Sequence, residues 1–447
     1  MLEPLKRIHR EYLDRLETKT VVLESGALGD CVAPLRSELA DGLWLLVCDE
    51  KTWEAAGKAA AAAMQASGRR YARWLVAPPE GHEDAVCDEE SVSACREAIG
   101  QLGAAAVVGV GSGTINDIAK FAAHKAGVSA GCVATAPSMN GYTSAIAAVL
   151  TNGVKTTQPC RPTRVVVADV DVMASAPAPL IQSGIGDLAS KPVSNADWIV
   201  ANRLTGSTHS PDAARVIEAS WRLLSGVAPG LARREREAIE KLGASLLLSG
   251  FAMTVAGNSA PASGGEHLIS HYLDMVAIAE GSRHDLHGRQ VGVGTITAAL
   301  FYEKLRALDP STIDPDARLA GRAPWKEYDK MLRGRFGDLS DAVLGHARAG
   351  YPDPDGLRER LEKLRSDWSS IMEELGATLR SPGAIESELR DAGAPTRYKE
   401  LGVSKDRALR AITESKDIRS RYTILHLAWE LGYLDQWAAE AIDRYYD

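Results

Sequence analysis

From residue 20 the chain alternates short, continuously apolar runs with stretches of helical periodicity. The runs are WLLVCDE (44–50), YARWLVAP (71–78), AAAVVGVGSG (104–113), GCVATAPS (131–138) and RVVVADVD (164–171). A strand with one wet face alternates apolar and polar residues; an unbroken apolar run suits a strand covered on both faces, as in a parallel sheet. Residues 51–65, 92–102 and 116–126 are each long enough for a crossover helix, so the pattern predicts βαβ units. Beyond about residue 182 the strand pattern stops. Helical periodicity covers 212–224, 232–256, 265–280 and 291–308, and a polar stretch with Pro and Gly at intervals runs from 309 to about 353. Charged helices with apolar stripes follow at 357–375, 384–392 and 405–437, where Tyr422 and Trp429 read as packing residues. The expected architecture is an α/β Rossmann-like domain over residues 1–182 and an all-helical domain over 183–447. Residues 309–447 are expected to be an extension of the second domain.

The sharpest local signal in the first half is GVGSGTINDIAKFAAHKAG, 109–127. An apolar strand ends in Gly109, Gly111 and Gly113, and a helix follows at once. Glycines permit a tight turn and close backbone approach, and the free N–H groups of a helix start attract phosphate. The turn is neither GxGxxG nor a Walker A motif. Asp49 ends the WLLVCD run where an acceptor for a ribose hydroxyl would sit; a helix cap fits it equally well. The segment ATAPSMNGYTSAIAAV, 134–149, places Thr135, Ser138, Asn140, Thr143 and Ser144 in a polar loop after another strand. Open α/β sheets keep their ligands at that edge. Asn152–Gly153 predicts a turn, with an extended excursion around it.

In the second half, SGGEHLISHYLDMVAIAEGSRHDLHG (263–288) carries four of the ten histidines. His267 and His271 are one helical turn apart and so share a face; His284 and His287 come after a charged turn. They fit a polar surface, or imidazoles converging on one divalent ion. Asp187 and Lys191 lie one turn apart beside Gly184 and Gly186, a surface ion pair or a ligand and its electrostatic partner. Asp187 with His267 and His287 would make a three-ligand site with an open position, the arrangement of catalytic metal.

Composition narrows the class. The 447 residues carry 45% hydrophobic and 25% charged side chains with a formal net charge of -8, an ordinary globular mix without a basic tract for nucleic acid or anionic membrane. Six cysteines lack CxxC spacing and read as reduced thiols. No signal core or membrane span is evident, which makes the cytoplasm the expected location.

GVGSGTINDIAKF, ATAPSMNGYTS, SGIGDLASKPVSNADW, SGGEHLISHYLDM and LHGRQVGVGT together resemble the sn-glycerol-1-phosphate dehydrogenases. These belong to the superfamily of iron-type alcohol dehydrogenases, glycerol dehydrogenases and dehydroquinate synthases. The resemblance runs in order from about residue 20 to 305. It implies a dehydroquinate synthase-like fold, one divalent ion (zinc, nickel or iron) on Asp187, His267 and His287, and bound NAD(H) or NADP(H). It puts Gly111, Ser112, Gly113 and Asp117 on the pyrophosphate turn, and Thr135, Ser138 and Ser144 on further cofactor contacts. His271 becomes a proton-transfer candidate and Lys191 a phosphate or substrate contact, while His284 has no role. Asp49 favours NAD over NADP, because an acid repels a 2′-phosphate.

The implied reaction is reversible reduction of dihydroxyacetone phosphate, a small phosphorylated ketose, to sn-glycerol 1-phosphate. One departure bears on it: Asn140 stands where such proteins often carry an Asp at the polyol end of the substrate. An amide still donates and accepts hydrogen bonds but lacks the charge. A related polyol or sugar-phosphate dehydrogenase, or a dehydroquinate synthase-like carbon–oxygen lyase, therefore stays open. Neither a nucleic acid nor membrane insertion is expected, and a homo-oligomer is compatible with the sequence.

Overall fold

The computed structural model describes residues 2–80, 83–151 and 154–447. The chain divides into two compact units, one made of residues up to Leu188 with Asp212–Ser259, the other of Ala189–Pro211 with Ala260–Asp447.

The first unit holds six parallel strands: β1 (Thr20–Glu24), β2 (Trp44–Cys48), β3 (Tyr71–Leu75), β4 (Ala106–Gly111), β5 (Ser129–Ala134) and, after a two-stranded excursion, β8 (Val165–Asp169). Their order across the sheet is β1-β8-β5-β4-β2-β3. Every position of β2, β4 and β8 is buried, as the unbroken apolar runs require. Each Val or Leu so placed contributes about 1.5–3 kcal/mol by leaving water. Trp44, Leu46, Val108, Val110, Val165 and Val167 share one core; Leu45, Val47, Val107 and the inner face of the Gly113–Ala126 helix form the other. The excursion pairs β6 (Ile146–Thr151) and β7 (Val154–Pro159) antiparallel; the turn expected at Asn152–Gly153 lies outside the described residues. Among the described residues no strand follows Asp169.

The second unit is helical, and its central pair is Gly265–Ala279 with His287–Arg306. Two features differ from the sequence expectation. The units do not divide at residue 182: the helix Ala178–Ala189 runs through that point, and 212–259 belongs to the first unit. The long helix Arg236–Ala256 accounts for this, because Gly243 packs on Leu23 of β1 and on Met173. That helix is long and apolar enough to cross a membrane, and 83% of its apolar window is buried inside the protein, as in a core helix. Secondly, the polar stretch 309–353 contains the helices Pro315–Ala320, Trp325–Phe336 and Ser340–Gly350. The first turn of each of the two longer ones is charged, and only a thin stripe, Tyr328, Leu332 and Phe336 in the first of them, is buried.

Gly184 fixes the loop after β5. A Cβ there would fall 1.9 Å from the carbonyl oxygen of Pro137, and Ser183 donates to the carbonyl oxygen of Ser138 at 3.0 Å. Replacing Gly by Ala inside a helix normally gains up to about 1 kcal/mol. Here a backbone clash opposes it, so Gly184→Ala should cost about 1–3 kcal/mol. The check is the urea midpoint, which should fall with an unchanged slope; a midpoint at or above that of the parent chain would refute the constraint.

Candidate active site

The sheet order creates a crevice in the first unit. From β2 the chain moves outward to β3, and from β4 it moves the opposite way to β5. Connections that leave in opposite directions open a crevice at the carboxyl ends of the two strands, here β2 and β4. Asp49 follows β2, and Gly111, Ser112 and Gly113 close β4. A Cβ on Gly111 would lie 2.5 Å from the Cβ of Ile115, so only glycine lets the helix start this close to the strand. Ser112 is the N-cap residue of Gly113–Ala126 but makes no capping bond; its hydroxyl bonds that of Ser138 instead. The N–H groups of the first turn lack intrahelical partners, and this uncapped turn has the chemistry to receive a pyrophosphate.

The other residues expected on the cofactor have different surroundings. Thr135 and Ser138 are buried on the loop after β5. Asp49 caps the helix that follows it, accepting from the Thr52 N–H at 2.7 Å while its own N–H donates to the Thr52 hydroxyl oxygen at 3.0 Å. Asp117 accepts from the Ala148 N–H at 2.9 Å and pairs with buried Lys120 at 3.3 Å, fastening β6 to the helix. Ser144 is buried and donates within its own turn, to Gly141 and Ile146 carbonyls. Asp117 and Ser144 are thus engaged with the protein itself. Asn140 donates to the hydroxyl of Ser249 at 3.1 Å.

Asp187, His267 and His287 each offer one ligand atom, and these atoms lie within 4.8 Å of one another. Donors about 2.0–2.1 Å from a tetrahedral ion stand about 3.4 Å apart, so a modest inward adjustment completes the set. The imidazoles are held in the right form for this. Nδ1 of His267 is 2.8 Å from Oε1 of Glu266, a carboxylate oxygen that accepts, which puts the ring proton on Nδ1 and the lone pair on Nε2. Ser270 gives its single hydroxyl proton to Gln290 at 2.8 Å; its oxygen therefore accepts from Nδ1 of His287 at 2.9 Å. The ring lone pair of His287 is then on Nε2 as well. Metal-binding histidines are oriented in this way by partners on the far ring nitrogen, and one carboxylate with two neutral imidazoles suits zinc, nickel or iron. The residues fit a divalent ion.

His271 joins the cluster, its ring centroid 5.4 Å from that of His287 and 6.2 Å from that of His267. Lys191 is fully buried, donating to the carbonyl of Ala262 at 2.9 Å and to the hydroxyl of Ser190 at 3.2 Å. His284 is exposed, with Nδ1 3.0 Å from Asp274.

Behind His267 lies a buried acidic pair that sequence reasoning passed over. Glu266 also accepts from the Gly264 N–H at 2.7 Å. Asp197 accepts from the N–H groups of Gly265 and Ile424 and from the Tyr302 hydroxyl, each at 2.6 Å. Burial, then the charge of Glu266, pushes the Asp197 carboxyl up to about 7. Arg421, donating to the Ser263 carbonyl at 2.5 Å, supplies countercharge; burial pulls its guanidinium down to about 10. The available signal was the acid directly before His267.

The parallel nucleotide-type sheet and this donor set fit a metal-dependent dehydrogenase, and residues 22–177 match the iron-containing alcohol dehydrogenase family. A glycerol-1-phosphate dehydrogenase [NAD(P)+] of Bacillus licheniformis is 30% identical, over 87% of this chain and 83% of its own length. A protein of the same name from Thermofilum pendens is 35% identical over 64% of this chain and 78% of its own. The chain belongs to the glycerol-1-phosphate dehydrogenase family. In fold it is similar to a probable glycerol dehydrogenase from Sinorhizobium meliloti 1021, with a TM-score of 0.58 and 18% identity over 94% of this chain and 97% of the other.

If Glu266 orients the ligand, Glu266→Ala should weaken zinc binding about 10–100-fold, and Glu266→Gln should recover part of that. Competition with a chromogenic chelator reads the affinity, and circular dichroism controls for folding. Parent-like affinity in a folded Glu266→Ala protein would count against the orienting role.

Proposed function

We propose that the protein reduces dihydroxyacetone phosphate to sn-glycerol 1-phosphate with NADH or NADPH, reversibly, consuming one proton. The observation that carries this reading is the convergence of Asp187 and two imidazoles whose far nitrogens are already committed, in a chain of this family. Asp187, His267 and His287 would hold the divalent ion. When bound, the ion polarises the ketone oxygen and the nicotinamide supplies the hydride.

The protein's own groups do the rest. The uncapped turn at Gly111–Gly113 binds the dinucleotide pyrophosphate by its N–H groups. His271 delivers a proton toward the developing hydroxyl oxygen, as its place beside His267 and His287 supports. Asn140, anchored to Ser249 by one N–H, offers its amide oxygen and second N–H to a substrate hydroxyl. Lys191 acts on the phosphate end, exchanging one of its present acceptors for the ligand. Asp49 disfavours a 2′-phosphate by charge, which supports NAD over NADP. A cytoplasmic location agrees with six free cysteines, five of them buried.

Dihydroxyacetone phosphate should oxidise NADH in the metal-replete protein, and chelator treatment should abolish this. His271→Ala is expected to lower kcat about 10²–10⁴-fold with metal content unchanged, and Asn140→Ala to lower kcat/KM about tenfold. Steady-state assays at the nicotinamide absorbance band, with metal analysis on each variant, test all three. Phosphate release without net NADH consumption would instead favour the lyase, and the absence of nicotinamide binding in the metal-replete protein would defeat the proposal outright.

A further inference from the structure

The C-terminal helices enclose a cavity of about 270 Å³, lined among others by Arg318, Arg322, Arg335, Tyr328, Tyr351 and Trp429. Its charges are unequal: Arg318, Arg322, Arg335 and Lys416 face it, against Glu430 and Asp435. Several of these are already matched. Lys416 is bound at 2.8 Å by both oxygens of Asp417. Glu430 takes a bond from Arg360 and one from the Tyr422 hydroxyl, each at 2.6 Å. Arg318 spends Nε on the Glu430 carbonyl at 3.1 Å, and Arg335 stands 4.0 Å from Glu414.

Arg322 is different. Its guanidinium carbon sits 4.0 Å from the ring centroid of Tyr351 and 4.5 Å from that of Trp429, so the aromatic faces hold the plane still. Nε and Nη2 are buried and make no hydrogen bond among the described residues. Those two donors form the side-on fork of a guanidinium, whose spacing matches the two oxygens of a carboxylate or phosphate. Burying such donors without an acceptor is costly, and a persistent instance calls for an explanation. Arg322 lines this cation-rich cavity, and a small turn of its side chain would bring the unsatisfied fork to an oxyanion there.

We propose that this cavity binds a small oxyanion, a compact phosphate or carboxylate compound, with the Nε and Nη2 donors of Arg322 gripping it side-on and Arg318 and Arg335 completing the positive wall. The residues belong to the helices after residue 309, outside the metal and nucleotide sites, so the inference stands without the proposed reaction. The size excludes a dinucleotide and admits a ligand of a few heavy atoms beyond the anionic group.

Isothermal titration of the full-length protein with inorganic phosphate, and separately with citrate, at ionic strength held constant with chloride, tests the site and separates the two ligand sources. Saturable binding of at least one is expected. Arg322→Gln should weaken it about 10–100-fold, the worth of a charge-assisted pair of bonds. Arg322→Lys, which keeps the charge and loses the fork, should fall nearly as far. No saturable heat from either anion, or an isotherm unchanged in Arg322→Gln, would overturn the proposal. Should both variants fail to fold, a crystal of the parent protein soaked in selenate decides: an anomalous peak against Nε and Nη2 of Arg322 supports the site, and peaks only elsewhere refute it.

Discussion

The Glu266–His267 hydrogen bond is the contact on which the helical unit's chemistry depends. A histidine can bind metal through either nitrogen, and the one that is free is set by what the other touches. Glu266 is fully buried, and burying a carboxylate is expensive unless its oxygens are used. One oxygen takes both the Gly264 N–H and Nδ1 of His267. This fixes the turn at the helix start and the tautomer of the ligand together. The adjacent Asp197 answers the Gly265 N–H in the same way. Two acids thus terminate the Gly265–Ala279 helix from its N-terminal side, where the helix dipole also favours negative charge.

Tightness around this turn follows from the same demand. A Cβ on Gly264 would fall 2.4 Å from Asp197 Oδ2, and one on Gly294 would fall 2.8 Å from the Glu266 carbonyl oxygen. The small residues of SGG and GVG therefore let carboxylates and a neighbouring helix reach the backbone. In the sheet unit the equivalent device is Gly111, which brings the Gly113–Ala126 helix start against the strand end. In both places a missing side chain brings polar backbone to a functional edge.

Much of this was legible because parallel strands buried on both faces leave an unmistakable apolar run, as WLLVC and AVVGVG do. β1 was harder: TVVLE is short, and two of its five positions are only half-buried and one exposed. The helices between 309 and 353 were invisible since their apolar stripes are one residue wide. Asp187, His267 and His287 could be named from motif order, but the roles of Glu266, Ser270 and Asp197 depend on which atom faces which, and spacing does not encode that. Asp49 and Asp117 likewise make bonds that spacing does not encode, a helix cap and a fastening for β6.

The C-terminal segment, which carried no motif, proves inseparable from the metal-side chemistry. The Ile424 N–H donates to Asp197 and Arg421 donates to the Ser263 carbonyl, so residues 421–424 clamp the turn that precedes His267. Arg421 is half-buried, and the charges of Glu266 and Asp197 answer its own. Removing the cation would leave two neighbouring carboxylates to repel each other in a low-dielectric interior, where one would take up a proton. Tyr422, next along, reaches in the other direction to Glu430, which lines the cation-rich cavity. Adjacent residues of one short segment therefore support both the metal-ligand turn and the wall of that cavity. The extension is thus a second layer of the helical unit, and its sequence is constrained by buried charge as much as by packing.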